Sequence, residues 1–122
     1  MSVEILQGIL DRTEGCLGIL LNGLDGFAVE KVWSEEATDR LDHTVAVAEF
    51  TSVVEQAVEK NREAGFGELR ELTITNEKGT FLIRLLGENQ FIAMIMSPDG
   101  SIGRGRYELH EAKFLLEHEP VA

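Results

Sequence analysis

One cysteine in 122 residues leaves no disulfide framework to build on, and Cys16 has no second cysteine or nearby histidine with which to hold zinc. It lies in an apolar run, the setting of an inert small hydrophobe rather than a reactive thiolate, and a reducing intracellular environment is expected. No apolar stretch approaches the ~20 residues of a membrane helix. The opening Met1-Ser-Val-Glu-Ile lacks the basic start and apolar core of a signal peptide, so a soluble, cytoplasmic protein is expected. Positive charge is also scarce: 11 Lys/Arg stand against 22 Asp/Glu, a net charge of −11. That balance repels phosphate backbones and anionic lipid surfaces, which argues against nucleic acid and direct membrane binding.

What remains is enough for one domain over residues 1–122, a length that buries roughly two thirds of the unfolded-chain surface. Ser2 can cap a first helix whose Ile5, Leu6, Ile9 and Leu10 share a face, ending near Gly15. Cys16 to Leu21 is apolar on both faces and reads as a covered strand, with Phe27 to Trp33 as the return strand. Ser34 to Asp42 reads as a polar loop. From His43 to Ala64 the period becomes helical: Ala46, Phe50, Val53, Ala57 and Ala64 form a stripe, widened by Val47, Val54 and Val58. Gly65-Phe-Gly67 ends that helix.

Three strands follow, Glu68 to Asn76, Thr80 to Leu86 and Gln90 to Ser97, joined by short turns that make neighbours antiparallel. Phe91 to Met96 is apolar on both faces, so this strand is expected at the centre. A last helix spans roughly Ser101 to Glu117. The predicted class is α+β, an α/β sandwich of order αββαβββα, in which a five-stranded antiparallel sheet carries helices on both faces.

Few motifs survive as chemistry. Asn22-Gly-Leu-Asp-Gly26 lacks the alternating oxygen ligands of a calcium loop, because Leu21 and Gly23 stand where carboxylates belong. It reads as a hairpin corner. Gly100-Ser-Ile-Gly103-Arg-Gly105 leads into a helix but matches neither a P-loop nor a dinucleotide fingerprint. Gly103 and Gly105 are read instead as points of close helix-to-sheet packing, with Arg104 and Arg106 placed to meet carboxylates. His43, His110 and His118 are far apart, and the acid pairs Glu35-Glu36 and Glu117/Glu119 sit in charged segments without an apolar wall. Neither catalytic residues, nor a metal site, nor a cofactor site is assigned.

Association surfaces are more evident. The apolar stripe of the middle helix is wider than one sheet contact requires; either it packs deeply on its own sheet or it meets a second surface. The Glu68 to Asn76 strand is an edge whose unpaired backbone groups need cover or a partner.

The helix, the run Gly15-Cys-Leu-Gly-Ile-Leu-Leu-Asn-Gly-Leu-Asp-Gly26, the long second helix and Ser97-Pro-Asp-Gly-Ser-Ile-Gly-Arg-Gly-Arg-Tyr107 together resemble the Roadblock (dynein light-chain, MglB-type) family over nearly the whole chain. The third helix favours its bacterial type. The resemblance implies a homodimer whose middle helices pack together and whose edge strands pair, with Ala46, Phe50, Val53, Ala57, Leu72 and Ile74 at the interface. It also implies a platform for a small Ras-like GTPase, binding no nucleotide itself, with Glu49, Ser52, Glu55, Gln56, Glu59 and Glu63 facing that partner.

Overall fold

The computed structural model describes residues 2–25, 28–39 and 43–117, with the side chains of 28–29, 38–39 and 43–47 left out of account. In chain order the elements are α1 (Ser2–Arg12), β1 (Cys16–Gly23), β2 (Ala28–Trp33), a 3-10 turn (Glu35–Asp39), α2 (His43–Glu63), β3 (Glu71–Asn76), β4 (Gly79–Leu86), β5 (Gln90–Met96) and α3 (Ile102–Glu117). The strands form one antiparallel sheet in the order β2-β1-β5-β4-β3, which puts β5 at the centre as its two-faced apolar pattern predicted.

Alternation along the strands sorts the core into two layers. Ile19, Leu21, Leu82, Ile92, Met94 and Met96 point to one face, where α1 contributes Leu6 and Ile9 and α3 contributes Leu109 and Ala112. Leu20, Ile83, Leu85, Phe91 and Ala93 point to the other, beneath Val54 and Val58 of α2. α1 and α3 therefore share a face and run antiparallel: Arg12, at the end of α1, bonds Glu108 in the first half of α3, while Ser2, at the start of α1, lines one cavity with Leu116 and Glu117 at the end of α3. α2 has the opposite face with one helper, the 3-10 turn, whose Ala37 is buried with Leu17 and Ile95. The sequence predicts only a polar loop here, because one small apolar residue among acids is a weak signal of a buried turn.

Local chemistry explains the boundaries. α2 ends in a paired set of capping bonds, Gly65 N–H to Arg62 C=O at 3.1 Å and Phe66 N–H to Asn61 C=O at 3.0 Å, with Gly65 at φ +79° where a side chain would be strained. The strand after it starts at Glu71 rather than Glu68, because Glu68 turns back to form a two-pronged ion pair with Arg62 at 2.8 to 3.1 Å. The hairpin corner after β1 is tied down by Leu24 N–H bonding Asn89 C=O at 2.8 Å. Gly26 and Phe27, with which the corner was read, lie outside the described residues.

The two glycines of α3 separate. A Cβ on Gly105 would stand 2.6 Å from Leu82 Cδ1 and 3.1 Å from Met94 Sδ, so this residue is where the helix meets the sheet closely, as the sequence suggested. Gly103 does not: it is exposed, and its Cβ would meet nothing nearer than Ser101 Oγ at 4.0 Å, because it lies on the outward side of α3. Opposite signs follow for the same substitution. Gly103→Ala is expected to raise unfolding stability by about 1 kcal/mol through helix propensity. In Gly105→Ala an overpacking cost of roughly 1–3 kcal/mol offsets and exceeds that gain. Urea titration of both variants checks it, and stabilisation by Gly105→Ala would contradict this packing.

Candidate functional site

The buried residues of α2 use only part of its apolar surface. Thr51, Val54 and Val58 are buried against the sheet. Thr51 Oγ1 accepts a 2.8 Å hydrogen bond from Asn22 Nδ2 on β1, and Asn22 itself is 0% exposed. This buried amide fixes which side of α2 faces β1. On the other side Phe50 stacks on Phe81 of β4, ring centroids 3.6 Å apart. Phe81 stands directly across from Ile74 on β3, and Ile83 across from Leu72.

Phe50, Val53 and Ala57 fall on the flank of α2 turned toward β3, three and four residues apart as one helical stripe requires. Phe50 and Ala57 are half-buried and Val53 is 42% exposed. Leu72 and Ile74 are half-buried and pack on the core cluster that Val54 and Val58 of α2 join. Of the six residues expected at a dimer interface, Phe50, Val53 and Ala57 lie along one side of α2, and Leu72 and Ile74 lie on one face of the edge strand β3. The sixth, Ala46, has its side chain outside the described residues. The wide stripe read from the sequence has a buried part, Val54 and Val58, and an outer part, Val53 and Ala57, with Phe50 between them on Phe81.

Away from the sheet, Glu49, Ser52, Glu55, Gln56, Glu59 and Glu63 are all exposed. Among the described residues Glu49, Glu55 and Glu59 make no ion pair, while Glu63 stands 3.8 Å from Lys60. The one arginine of α2, Arg62, is engaged by Glu68, whose carboxylate raises the arginine's pKa and is itself lowered by it. α2 therefore presents an acidic, cation-seeking surface without a free guanidinium.

The segment Gly100–Gly105 borders a cavity of about 590 Å³, lined by Arg12, Glu14, Gly15, Glu36, Ser97, Asp99, Ser101 and Arg104. Both arginines point to Glu108, 2% exposed, at 3.0 Å and 2.8 Å. With their charge compensated there and three carboxylates on the walls, the cavity does not favour a phosphate. Arg106 pairs with Glu71, which also holds Arg84 at 3.1 Å, so Arg104 and Arg106 do meet carboxylates. No group of three His, Cys, Asp or Glu suited to a metal occurs among the described residues. His110 is exposed on α3; the side chain of His43 and all of His118 lie outside the described residues. Nor is any helix in them long and apolar enough to cross a membrane.

The antiparallel αββαβββα sandwich defines the class, and comparison with solved structures places it more closely. An MglB in a tetrameric arrangement superposes with a TM-score of 0.82 at 17% identity, covering 94% of this chain and 84% of that one. A Roadblock/LC7 domain from Streptomyces avermitilis gives 0.80 at 11% identity over 94% and 93%. MglC from Myxococcus xanthus gives 0.70 at 25% identity over 98% and 100%. The fold is that of a bacterial Roadblock or MglB-like domain. No sequence-family profile and no curated protein matches the chain.

Burial also governs Cys16, whose thiol pKa is pushed from 9.0 up to about 12. A thiol whose pKa is higher folded than unfolded holds its proton longer in the native state. Its contribution is therefore complete below pH 9 and is lost as pH rises toward 12. Between these limits the loss approaches about 1.4 kcal/mol per pH unit. Comparing unfolding of the native chain and Cys16→Ala across pH 8 to 11 should show a steeper decline in the native chain; parallel curves would contradict it.

Proposed function

We propose that the chain is a homodimeric, non-nucleotide-binding regulator of a bacterial small Ras-like GTPase, working from the cytoplasm as a protein platform rather than as an enzyme. The observation that carries the reading is the apolar set of Phe50, Val53 and Ala57 along one side of α2 and Leu72 and Ile74 on the edge strand β3. Packing it against its copy covers the side chains, and pairing β3 with the second β3 satisfies edge backbone groups that otherwise invite uncontrolled association. The fold shared with MglB and MglC supports the same role.

Two antiparallel α2 helices would then present twin rows of Glu49, Glu55, Glu59 and Glu63, with Ser52 and Gln56 between, to the GTPase. A partner with a basic patch fits this surface, and charge complementarity would speed encounter. Acceleration of hydrolysis by inserting an arginine does not suit α2, because Arg62 is committed to Glu68. An activator of this build would act by arranging the GTPase's own catalytic groups. The same observation favours a second reading, a passive dimeric scaffold that leaves hydrolysis unchanged.

The test is single-turnover GTP hydrolysis by a Ras-like GTPase encoded in the same genome, with and without this protein, beside a binding titration. Glu55→Lys/Glu59→Lys, both exposed, should weaken binding at least tenfold while leaving fold and mass intact. Binding with faster hydrolysis identifies an activator, and binding at constant rate identifies the scaffold. No binding, or binding indifferent to the two lysines, overturns the assigned surface.

A further inference from the structure

The other layer of the molecule carries a second unused helix face. Gly103, Tyr107, His110 and Phe114 of α3 follow one another at intervals of four, three and four residues, the spacing of a helix-packing seam. They lie opposite the buried stripe Gly105, Leu109 and Ala112, so the seam points away from the sheet. Tyr107 is 54% exposed, and Phe114 is 60% exposed even with the contacts it makes within the chain. Gly103 has the open space already described, and neither its backbone angle nor its own packing calls for glycine.

We propose that this face binds the same face of a second copy, α3 against α3 in antiparallel fashion. Antiparallel packing of a four-residue seam sets its first position against the last and its second against the third. Phe114 of the second copy then falls on Gly103, where the missing side chain leaves room for a ring. Tyr107 falls across from His110. The pattern is self-complementary, as a two-fold contact must be: a large residue at one end and a gap at the other.

Charge points to the same partner. The chain carries −11 overall, so two copies repel over most of their surfaces. Around α3 the charges balance instead and this repulsion is weakest: Arg12 and Arg104 pair with Glu108, Arg106 with Glu71 and Lys113 with Glu117. Arg104 sits 5.5 Å over the Tyr107 ring at one end of the seam. Glu111, which makes no ion pair among the described residues, stands on the same flank two turns on. Antiparallel packing brings each Arg104 to the Glu111 of the other copy, twice per contact.

This contact lies on the opposite side of the sheet from the α2 strip and stands independently of it. Used together, the two interfaces predict a tetramer. Sedimentation or light scattering over a range of concentrations at physiological salt reads the mass of the native chain, Val53→Glu, Gly103→Leu and the double variant. Leucine at Gly103 favours the helix and meets open space, so thermal stability should hold or rise while the bulk denies Phe114 its seat. The expected masses are four chains, two, two and one.

A native dimer that Val53→Glu dissociates and Gly103→Leu leaves intact would overturn the α3 contact and keep the α2 interface. A native dimer dissociated by Gly103→Leu alone would uphold α3 and overturn the α2 interface. A monomer at every concentration would overturn both. Tyr107→Glu, also exposed, should reproduce the effect of Gly103→Leu; a mass unchanged by both substitutions contradicts the seam.

Discussion

A helix is about 10 Å across and strands are spaced about 4.8 Å apart, so a single helix covers roughly two strands of a five-stranded sheet. On one face α1 and α3 divide the work. On the other α2 is the only long helix among the described residues. Anchored to β1 through the Asn22–Thr51 bond and to β4 through Phe50 on Phe81, it stands over the middle of the sheet. The 3-10 turn covers more beside β1, through Ala37 on Leu17 and Ile95. On the β3 side no second turn does the same among the described residues, and the surplus apolar surface collects there. The position of α2 is thus the constraint from which the candidate interface follows.

The same mismatch orders the electrostatics. With one apolar flank turned to β3 and one face on the sheet, the outward arc of α2 is left for polar residues, and it is filled with acids. The basic residues cluster on the other layer, where Glu108 sits between Arg12 and Arg104 and Glu71 between Arg84 and Arg106. A buried carboxylate between two cations ties α1 to α3, while Glu71 ties the edge strand to its neighbour and to α3. A strongly acidic chain therefore has two unlike sides: on one the acids of α2 stand outward, on the other buried and half-buried acids are paired with arginines.

The fold was largely legible in the sequence because its signals are local. Alternation against a period of 3.6 separated strands from helices, Gly65 ended α2, and the two-faced run Phe91 to Met96 marked the central strand. What was not legible depends on which faces meet. Val53 and Val54 are both part of the apolar stripe, and only the third dimension shows that one is 42% exposed and the other fully buried under the helix. Asn22 read as a turn residue, though it lies within β1 and anchors α2, since a buried amide and an exposed one look alike in sequence. Gly103 and Gly105 were read alike and differ for the same reason. Glu108 gave no sign of burial, because its partner Arg12 lies 96 residues away.

Backbone hydrogen exchange of β3, followed as a function of protein concentration, tests the α2 and β3 interface most directly. A paired edge requires the outward amides of Glu71–Asn76 to become protected as concentration rises, together with those near Val53, while β5 stays protected throughout. Rapid exchange of β3 at every concentration would mean that the edge is unpaired in solution, and the dimer built on it would have to be abandoned.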